Sequence, residues 1–453
     1  MDTNVLKRGR VLYIFEAALE YFISILVAST FLATLTEYLN FDTATTGIVS
    51  SFISLGCIFQ LATLFVFKGR AKKRVVTFSI INQLLFTLLY VIPLIDGDEG
   101  AKRGIFIAVI LLAYIVYNIA HPAKINWLMS LVDDKKRGKF TATKEIVSLI
   151  TGVGFTFLMG GVIDHFDAKC VSYYDEITGE LIQNNQEMEK AFIIIAVCMV
   201  AITIFHTLCM IFTAEKESKT TSKRSIKETF SVLKDKNVIK VAIAFSLWYI
   251  TSYATTPFYG AYQKASAEID MGLGFPMWFI SILATVYAFT RAGFSYFWGY
   301  YADKYSFANM IRICFAISGL GFLTNVFCTP ANGWIVYTAY QVISAISMAG
   351  INSALINLCY DYVGEEKRRD ALAVCLACAG LLGFLTTNLM APLVRYIEGN
   401  DNHIFGIYVH APQVTSLIAF VLSIVCILYV SIFMVKKNPK KSVNSKKSDT
   451  TCR

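Results

Sequence analysis

Long apolar stretches separated by short polar segments follow one another along almost the whole chain. Each stretch has roughly 20 residues or more, which is enough for a helix to cross the ~30 Å hydrocarbon core of a bilayer. Such stretches begin near Val11, Thr45, Val75, Gly104, Phe140, Ala191, Val238, Leu273, Phe307, Trp334, Ala371 and Val414. The pattern predicts an all-α membrane protein with twelve transmembrane helices.

The charged clusters indicate that the chain consists of two similar halves. Asp133–Arg137 closes one apolar stretch, and Glu365–Arg369 closes another about half a chain length later. Internal repeats of this kind are common in membrane transporters, whose substrate path lies between the repeats. We therefore expect two pseudo-symmetric six-helix bundles, residues 1–213 and 237–436. A cytoplasmic loop, 214–236, joins them, and a disordered cytoplasmic tail, 437–453, follows.

Composition supports a membrane location. Hydrophobic residues make up 56% of the chain and charged residues 16%, against roughly 45 to 50% and 25% in soluble domains. A soluble fold of this length would need more polar surface, so the lipid bilayer is the expected surrounding of most helices. The eleven cysteines are scattered through apolar runs, which is typical of core residues and not of a disulfide framework.

The distribution of positive charge predicts the orientation. Lysine and arginine are concentrated before the first stretch, after the second and fourth, between the two halves and in the tail. Cytoplasmic loops carry such an excess, so both termini are expected in the cytoplasm of a protein of the cell membrane. The formal net charge of +9 is then a topology signal, and nucleic-acid binding is not expected.

Two spans carry ionisable side chains at membrane depth. Glu16 and Glu20 lie four residues apart on one face of the first helix, and His121 and Lys124 reach a comparable depth on the fourth. A charge at that depth costs about 2.5 to 3.5 kcal/mol or more unless it is paired or hydrated. We expect a protonatable or substrate-binding cluster. The alternative is that Glu16 and Lys124 extend to the cytoplasmic interface.

In the second half the isolated intramembrane cation is Arg291, in the eighth stretch. Its planar guanidinium could bind an anionic group of a substrate. It could equally pair with a carboxylate of the first half as a structural lock.

Aromatic and amide side chains are candidates for a central cavity that suits sugars, nucleosides or aromatic metabolites. Many residues of these types lie instead in the interfacial belts of membrane proteins. The cavity candidates are Tyr117, Asn118, Trp248, Tyr253, Gln341 and Asn352. Pro257 is expected to bend the seventh helix.

A short motif follows the eighth stretch: Gly299, then Asp303 and Lys304, then Ser306. It resembles the Gly-x-x-x-Asp-(Arg/Lys)-x-Gly signature of the major facilitator superfamily, with Ser306 in place of the last glycine. With twelve spans arranged as six plus six, the resemblance covers essentially the whole chain. It implies that Asp303 caps the fifth helix near Arg137 and closes the cytoplasmic side in one state.

The first half departs from this signature, because Lys68 stands where the acidic residue is expected. The fifth stretch keeps glycines at 152, 160 and 161 but lacks the Gly-Pro of proton-driven antiporters, which weakens an exporter interpretation.

The resemblance implies a secondary transporter that works by alternating access on a small organic solute, such as a sugar, a nucleoside or a related metabolite. The proton is the leading coupling ion, with sodium coupling or facilitated diffusion as alternatives, and the protein is expected to be a monomer. A drug or metabolite exporter and a non-transporting sensor or scaffold are the competing functions. Nucleotide-binding and metal-ligand motifs are lacking, so neither an enzyme, a cofactor nor a metal is expected.

Overall fold

The structure, a computed structural model, describes residues 3–67, 71–132, 137–174, 181–184, 186–215, 229–266, 272–364 and 367–435. Within these ranges the chain is almost entirely helical. Eleven helical segments are long and apolar enough to cross a bilayer, and a pair of helices bent by 41° supplies a further span. The prediction of an all-α membrane protein with twelve transmembrane helices is confirmed.

The first six spans occupy the chain up to Phe212. They comprise Thr3–Leu26 with Ser29–Tyr38; Thr43–Ser50 continued by Phe52–Gly56, Cys57–Ala62 and Thr63–Val66; Lys72–Val91 with Ile92–Leu94; Glu99–Met129; Arg137–Asp167; and Gln186–Phe212. An antiparallel hairpin of Val171–Tyr174 and Leu181–Asn184, with Val171 opposite Asn184, separates spans five and six.

The second six spans follow a short 3-10 turn, Ser231–Lys234. They comprise Lys236–Tyr253 with Thr256–Phe258 and Tyr259–Lys264; Met277–Lys304; Phe307–Val326; Gly333–Tyr362; Arg368–Glu398; and Ala411–Phe433. A small hairpin of His403–Ile404 and Ile407–Tyr408 separates spans eleven and twelve. The expected cytoplasmic tail, 437–453, and most of the loop 214–236 lie outside the described residues.

The chain divides into two compact units. One contains Met1–Ser222 and Pro257–Thr285, and the other contains Lys223–Thr256 and Val286–Arg453. The end of span seven and the start of span eight therefore belong to the first unit. The boundaries predicted from the repeat, 213 and 237, stay a prediction.

The first and seventh spans are interrupted by breaks within their length. The first breaks before Ser29, whose φ of +48° lies in the left-handed region that non-glycine residues rarely adopt. The seventh breaks at Thr256–Phe258, a 3-10 turn that contains Pro257. Proline removes a backbone donor and clashes with the preceding helical turn, so the predicted disruption at Pro257 is present.

Short polar side chains define where several helices begin. Asp42, Asp98 and Ser306 accept hydrogen bonds from the backbone N–H three residues later, and Asp235 accepts one from Asn237. These bonds satisfy donors that the first helical turn leaves free. For Asp235, the bond from Asn237 together with nearby Lys367 lowers the carboxyl pKa below its ordinary value. Ser306, the departure from the family signature, is thus a helix cap.

The surface of the spans is strongly apolar. Leu158 and Leu389 leave 63% and 73% of their area exposed, and neighbouring outward positions carry similar side chains. In the second unit the core is built around Trp248, which stacks on Phe315 with ring centroids 5.4 Å apart. Apolar side chains can cover the outside of the spans because the surrounding lipid is itself apolar.

Glycines of the fifth span show where neighbouring helices approach closely. A Cβ added at Gly152 would lie 2.4 Å from the Tyr21 ring of span one, whereas a Cβ at Gly154 would meet nothing within 4 Å. Gly160 is similarly close to Met277, at 3.2 Å, and Gly161 faces open space. The glycine pattern of this span therefore includes two close helix contacts.

We expect Gly152→Ala to lower the thermal unfolding midpoint, because overpacking of a helix contact costs about 1 to 3 kcal/mol. Gly154→Ala, two residues away on the same helix, should leave the midpoint unchanged or raise it, since alanine favours helix. Unfolding of the purified variants in detergent, followed by fluorescence, measures both. Equal midpoints for the two variants would contradict the close contact with Tyr21.

Candidate functional site

A cluster of charged side chains lies between spans one and four. Lys124 Nζ donates to Glu16 Oε1 at 2.8 Å and also forms an ion pair with Glu20. The side chains of Glu16 and Lys124 are 2% and 5% exposed, and that of Glu20 is 25% exposed. The structure thus brings together three of the residues that the sequence analysis selected.

The alternative interpretation, in which Glu16 and Lys124 extend to the membrane interface, does not describe this structure. A side chain that extends to the interface keeps its charged end in water, whereas both of these charged ends are buried and bonded to each other. Each charge is expensive to bury alone. Their pairing is therefore the reason that both are accommodated here.

His206 of the sixth span completes the cluster. Its Nε2 lies 3.0 Å from Glu16 Oε1, and its side chain is 1% exposed. The sequence analysis did not select His206, which is one of five histidines scattered along the chain. The criterion used for the first and fourth spans, an ionisable residue within an apolar run, would have selected His206 in the sixth.

A small polar cavity borders the cluster. In this conformation it has a volume of about 10 Å³ between spans one, three and four, which is room for about one water molecule. Its lining residues are Glu20, Phe78, Ser79, Asn82, Gln83, Tyr117, Ala120, His121 and Lys124. Among the described residues, Gln83 Oε1 and His121 Nδ1 have no hydrogen-bond partner. Buried polar atoms of this kind are normally satisfied by a ligand or by water, so the cavity is suited to a polar guest.

The third span contributes polar residues that the sequence analysis did not select. Ser79, Asn82 and Gln83 share one face of the helix, at spacings of three and four residues, and all three line the cavity. Polar groups repeated at helical spacing inside an apolar span were the available signal. Tyr117 and His121, which were selected, line the same cavity.

Asn118 lies away from this cavity. It is 2% exposed, accepts a hydrogen bond from Gln60 Nε2 at 3.0 Å and donates one to the Tyr114 carbonyl at 2.9 Å. A Cβ at Gly56 would lie 2.2 Å from Asn118 Nδ2. This position favours a structural role in the contact of span four with span two.

The cavity candidates of the second unit have varied surroundings. Trp248 is 5% exposed in the core, and Tyr253 stacks on Tyr249 with centroids 5.6 Å apart. Gln341 is half-buried and Asn352 is exposed. A core position favours a packing role for Trp248, and the other three keep a cavity role as a prediction.

Arg291 is half-buried in the eighth span, and no ion pair to it occurs among the described residues. Both of its expected roles, the pairing with a carboxylate of the first half and the binding of an anionic substrate group, stay predictions.

The residues of the family signature lie near the end of the eighth span. Gly299, Asp303 and Lys304 are all exposed, and a Cβ at Gly299 would meet nothing within 4 Å. The side chain of Arg137 and the whole of Lys68 lie outside the described residues, so the expected cap on the fifth helix stays a prediction.

Such a cap is found at a different aspartate. Asp164 accepts hydrogen bonds from the backbone N–H groups of Met277 and Trp278, both at 2.8 Å. It thereby binds the positive end of the eighth helix from the end of the fifth. The sequence analysis did not select Asp164.

Further contacts surround this cap within the first unit. Lys264 pairs with Asp167 at 2.5 Å, and Thr30 donates to Gln263 at 3.1 Å. A Cβ at Gly260 would lie 2.7 Å from the carbonyl oxygen of Ser29. We refer to these contacts of residues 260–278 with spans one and five as the interspan contact. It joins the distal segments of the two interrupted spans.

The family model of the Major Facilitator Superfamily matches residues 14–284 and 265–451 of the chain. The chain belongs to the Major Facilitator Superfamily. It is a multi-pass membrane protein with the transporter fold of that superfamily, in which twelve helices form two bundles.

Solved structures with this superfamily fold resemble the chain throughout its length. The nucleoside transporter NupG aligns with a TM-score of 0.67 and 14% identity over 95% of this chain and 100% of its own. A bacterial homolog of the human lysosomal transporter Spinster, inward-facing and occupied, gives 0.63 and 11% over 96% and 97%. An inward-facing bacterial homologue of the iron transporter ferroportin gives 0.61 and 12% over 94% and 100%. No curated protein matches the chain in sequence. At these identities the likeness concerns the fold.

Lys124→Met should reduce stability strongly in this superfamily protein, because it leaves two carboxylates without their shared cation. Breaking a buried ion pair costs about 3 to 5 kcal/mol. The control is Lys190→Met, which removes an exposed pair with Glu187 and should cost about 1 kcal/mol or less. Thermal unfolding in detergent measures both variants. A similar small loss for each would show that the Lys124 pair contributes little.

Proposed function

We propose that this chain is a secondary active transporter that carries a small organic solute by alternating access and is driven by a proton gradient. The observation that carries the proposal is the position of Lys124, held between buried Glu16 and cavity-lining Glu20. Protonation of this cluster changes how strongly Lys124 is attracted to each carboxylate. Proton binding and the charge of the cavity wall are thereby linked.

The polar groups around the cavity support a polar, uncharged solute, and we propose that the cavity, which has room for about one water in this conformation, widens when the solute binds. Its wall combines amide groups of Asn82 and Gln83 with the phenol of Tyr117 and the carboxylate of Glu20. Such groups bind hydroxyl and amide substituents, and the apolar faces around them suit a ring. Sugars, nucleosides and related metabolites carry both features. NupG is described as a nucleoside transporter, which supports giving nucleosides priority among the solutes tested.

Alternating access requires contacts that form in one state and separate in the other. The interspan contact supports this function, because it includes an ion pair and a helix cap, which are polar contacts that water can replace when they separate. It lies on the side of the membrane opposite the lysine-rich loops, which is the extracellular side if both termini are cytoplasmic. We propose that this contact closes the extracellular side.

Exporter and scaffold functions remain the competing proposals. The direction of net solute movement distinguishes uptake from export. A non-transporting sensor or scaffold would have no requirement for a buried ion cluster next to a polar cavity, and such a cluster is costly. We favour transport for that reason. Sodium coupling and facilitated diffusion make different predictions in the same assay.

Glu20→Gln should abolish proton-driven accumulation while solute exchange continues, because the cavity carboxylate is then neutral at every pH. Purified protein in proteoliposomes, tested with radiolabelled nucleosides and monosaccharides under an imposed pH gradient, measures both activities. Glu187→Gln, in an exposed pair, is the matched control. Unchanged dependence on pH in Glu20→Gln would remove Glu20 from the coupling mechanism. If the wild-type protein accumulates solute under a sodium gradient alone, sodium and not the proton is the coupling ion.

Gly260→Ala should separate the interspan contact, because the new methyl would lie 2.7 Å from a backbone oxygen that cannot easily move. Thr30 is 1% exposed, so a cysteine at position 30 should react several-fold faster with an impermeant maleimide when Gly260→Ala is also present. Gly161→Ala, at a glycine that faces open space, is the control. The protein without the Thr30→Cys change gives the background. Equal reactivity in the two alanine variants would argue against the gate.

A further inference from the structure

We propose that His206 is the residue that binds the coupling proton, and that its charge decides whether Lys124 is shared between Glu16 and Glu20 or pairs mainly with Glu20. The inference rests on the proposed proton-coupled transport and deepens it. His206 is then a positioning residue, since it is absent from the cavity lining and acts on the cavity through Glu16 and Lys124.

The charges of the cluster are not balanced without a bound proton. Glu16 and Glu20 supply two negative charges and Lys124 supplies one positive charge. With neutral His206 these directly bonded groups carry one net negative charge, and Lys144 lies outside these bonds, over the Tyr13 ring at 5.1 Å. An imidazolium at His206 brings the sum of the bonded groups to zero. Because an unbalanced buried charge is costly, a proton at His206 would stabilise these bonded groups.

The geometry places that proton on the histidine ring. Glu16 Oε1 is within hydrogen-bond distance of both Lys124 Nζ and His206 Nε2. An ionised carboxylate only accepts hydrogen bonds, so Nε2 must carry a hydrogen. The other nitrogen, Nδ1, is buried and has no hydrogen-bond partner within the described ranges. Protonation at Nδ1 therefore changes the charge of the ring without breaking its bond to Glu16.

The charge of His206 alters the cavity wall through Lys124. When the ring is positive, it neutralises Glu16, and Lys124 can neutralise Glu20. When the ring is neutral, both carboxylates compete for Lys124, and Glu20 carries more uncompensated negative charge. Glu20 and Lys124 both line the cavity, so a proton on the sixth span changes the electrostatic potential at a site formed by spans one, three and four.

Other titratable and charged groups surround the cluster that contains His206. They are Tyr13, Glu16 and Glu20 on the first span, Lys72 on the third, His121 and Lys124 on the fourth, Lys144 on the fifth, and Cys209 on the sixth itself. Lys144 lies over the Tyr13 ring at 5.1 Å, and Lys72 bonds to the Ile211 carbonyl. Histidine is the side-chain type that changes charge between about pH 5 and 8, and of the two histidines His206 bonds to a carboxylate of the cluster.

Nitrogen NMR of the purified full-length protein, labelled with ¹⁵N-histidine, tests the inference without any solute. The sequence contains five histidines, and the signals missing from His206→Gln identify those of His206. If that variant does not fold, Glu16→Gln provides a second assignment, because it removes the charge to which His206 bonds. At high pH we expect shifts typical of the neutral Nε2–H tautomer, and at low pH those of imidazolium.

Glu20→Gln supplies the decisive comparison. Removing this negative charge weakens the attraction for the proton, so the transition of His206 should move to lower pH. Glu187→Gln, on the same span as His206 but exposed, should leave the transition in place. A His206 that stays neutral over the whole accessible pH range overturns the inference, and so does a transition that Glu20→Gln does not move.

These outcomes separate the inference from the proposed transport function. If the NMR signals of His206 change with pH as expected but the protein moves no solute in proteoliposomes, the transport proposal is wrong. If the protein accumulates solute under a pH gradient but the NMR signals of His206 do not change with pH, only the role proposed for His206 is wrong.

Discussion

The cost of enclosing ions in a lipid-surrounded bundle is the constraint on which the site depends. Lys124 cannot be buried without an anion, and Glu16 cannot be buried without a cation. Their contact at 2.8 Å therefore holds spans one and four in a defined register, and the bond of His206 to the same Glu16 oxygen adds span six. Three helices are positioned by one carboxylate.

The same constraint connects structure with transport. Balanced ions hold the spans together, and in the proposed mechanism one proton more or less changes this balance and the preferred partner of Lys124. Next to this cluster lies a small polar cavity, where Gln83 Oε1 and His121 Nδ1 have no hydrogen-bond partner in the part of the chain that the structure describes. The distal segments of two interrupted spans meet at the interspan contact, where Ser29 adopts a strained backbone conformation against Gly260. Strain at such a position is common in parts of proteins that move.

Sequence reasoning succeeded where one property of a residue was sufficient. Glu16, Glu20 and Lys124 were selected because ionisable groups are rare at membrane depth, and the interruption at Pro257 follows from the chemistry of proline. It failed where the partner decides the role. His206 and Asp164 look ordinary along the chain, and the packed surroundings of Asn118 and Trp248, which favour structural roles, are visible only in the structure. Asp164 caps the eighth helix in the described residues, and the cap on the fifth helix expected at Asp303 stays a prediction.

The sequence by itself determined the twelve spans, the membrane surroundings and the superfamily. The length of an apolar stretch and the charges beside it are local properties, and they decide how the stretch inserts into a bilayer. The sequence also determined which few charges needed partners. Only the tertiary structure decided which partners they found: Lys124 between two carboxylates, His206 on Glu16, and Asp164 on a helix end far along the chain. Pairing depends on distances between helices, and these distances result from side-chain packing that no local pattern specifies.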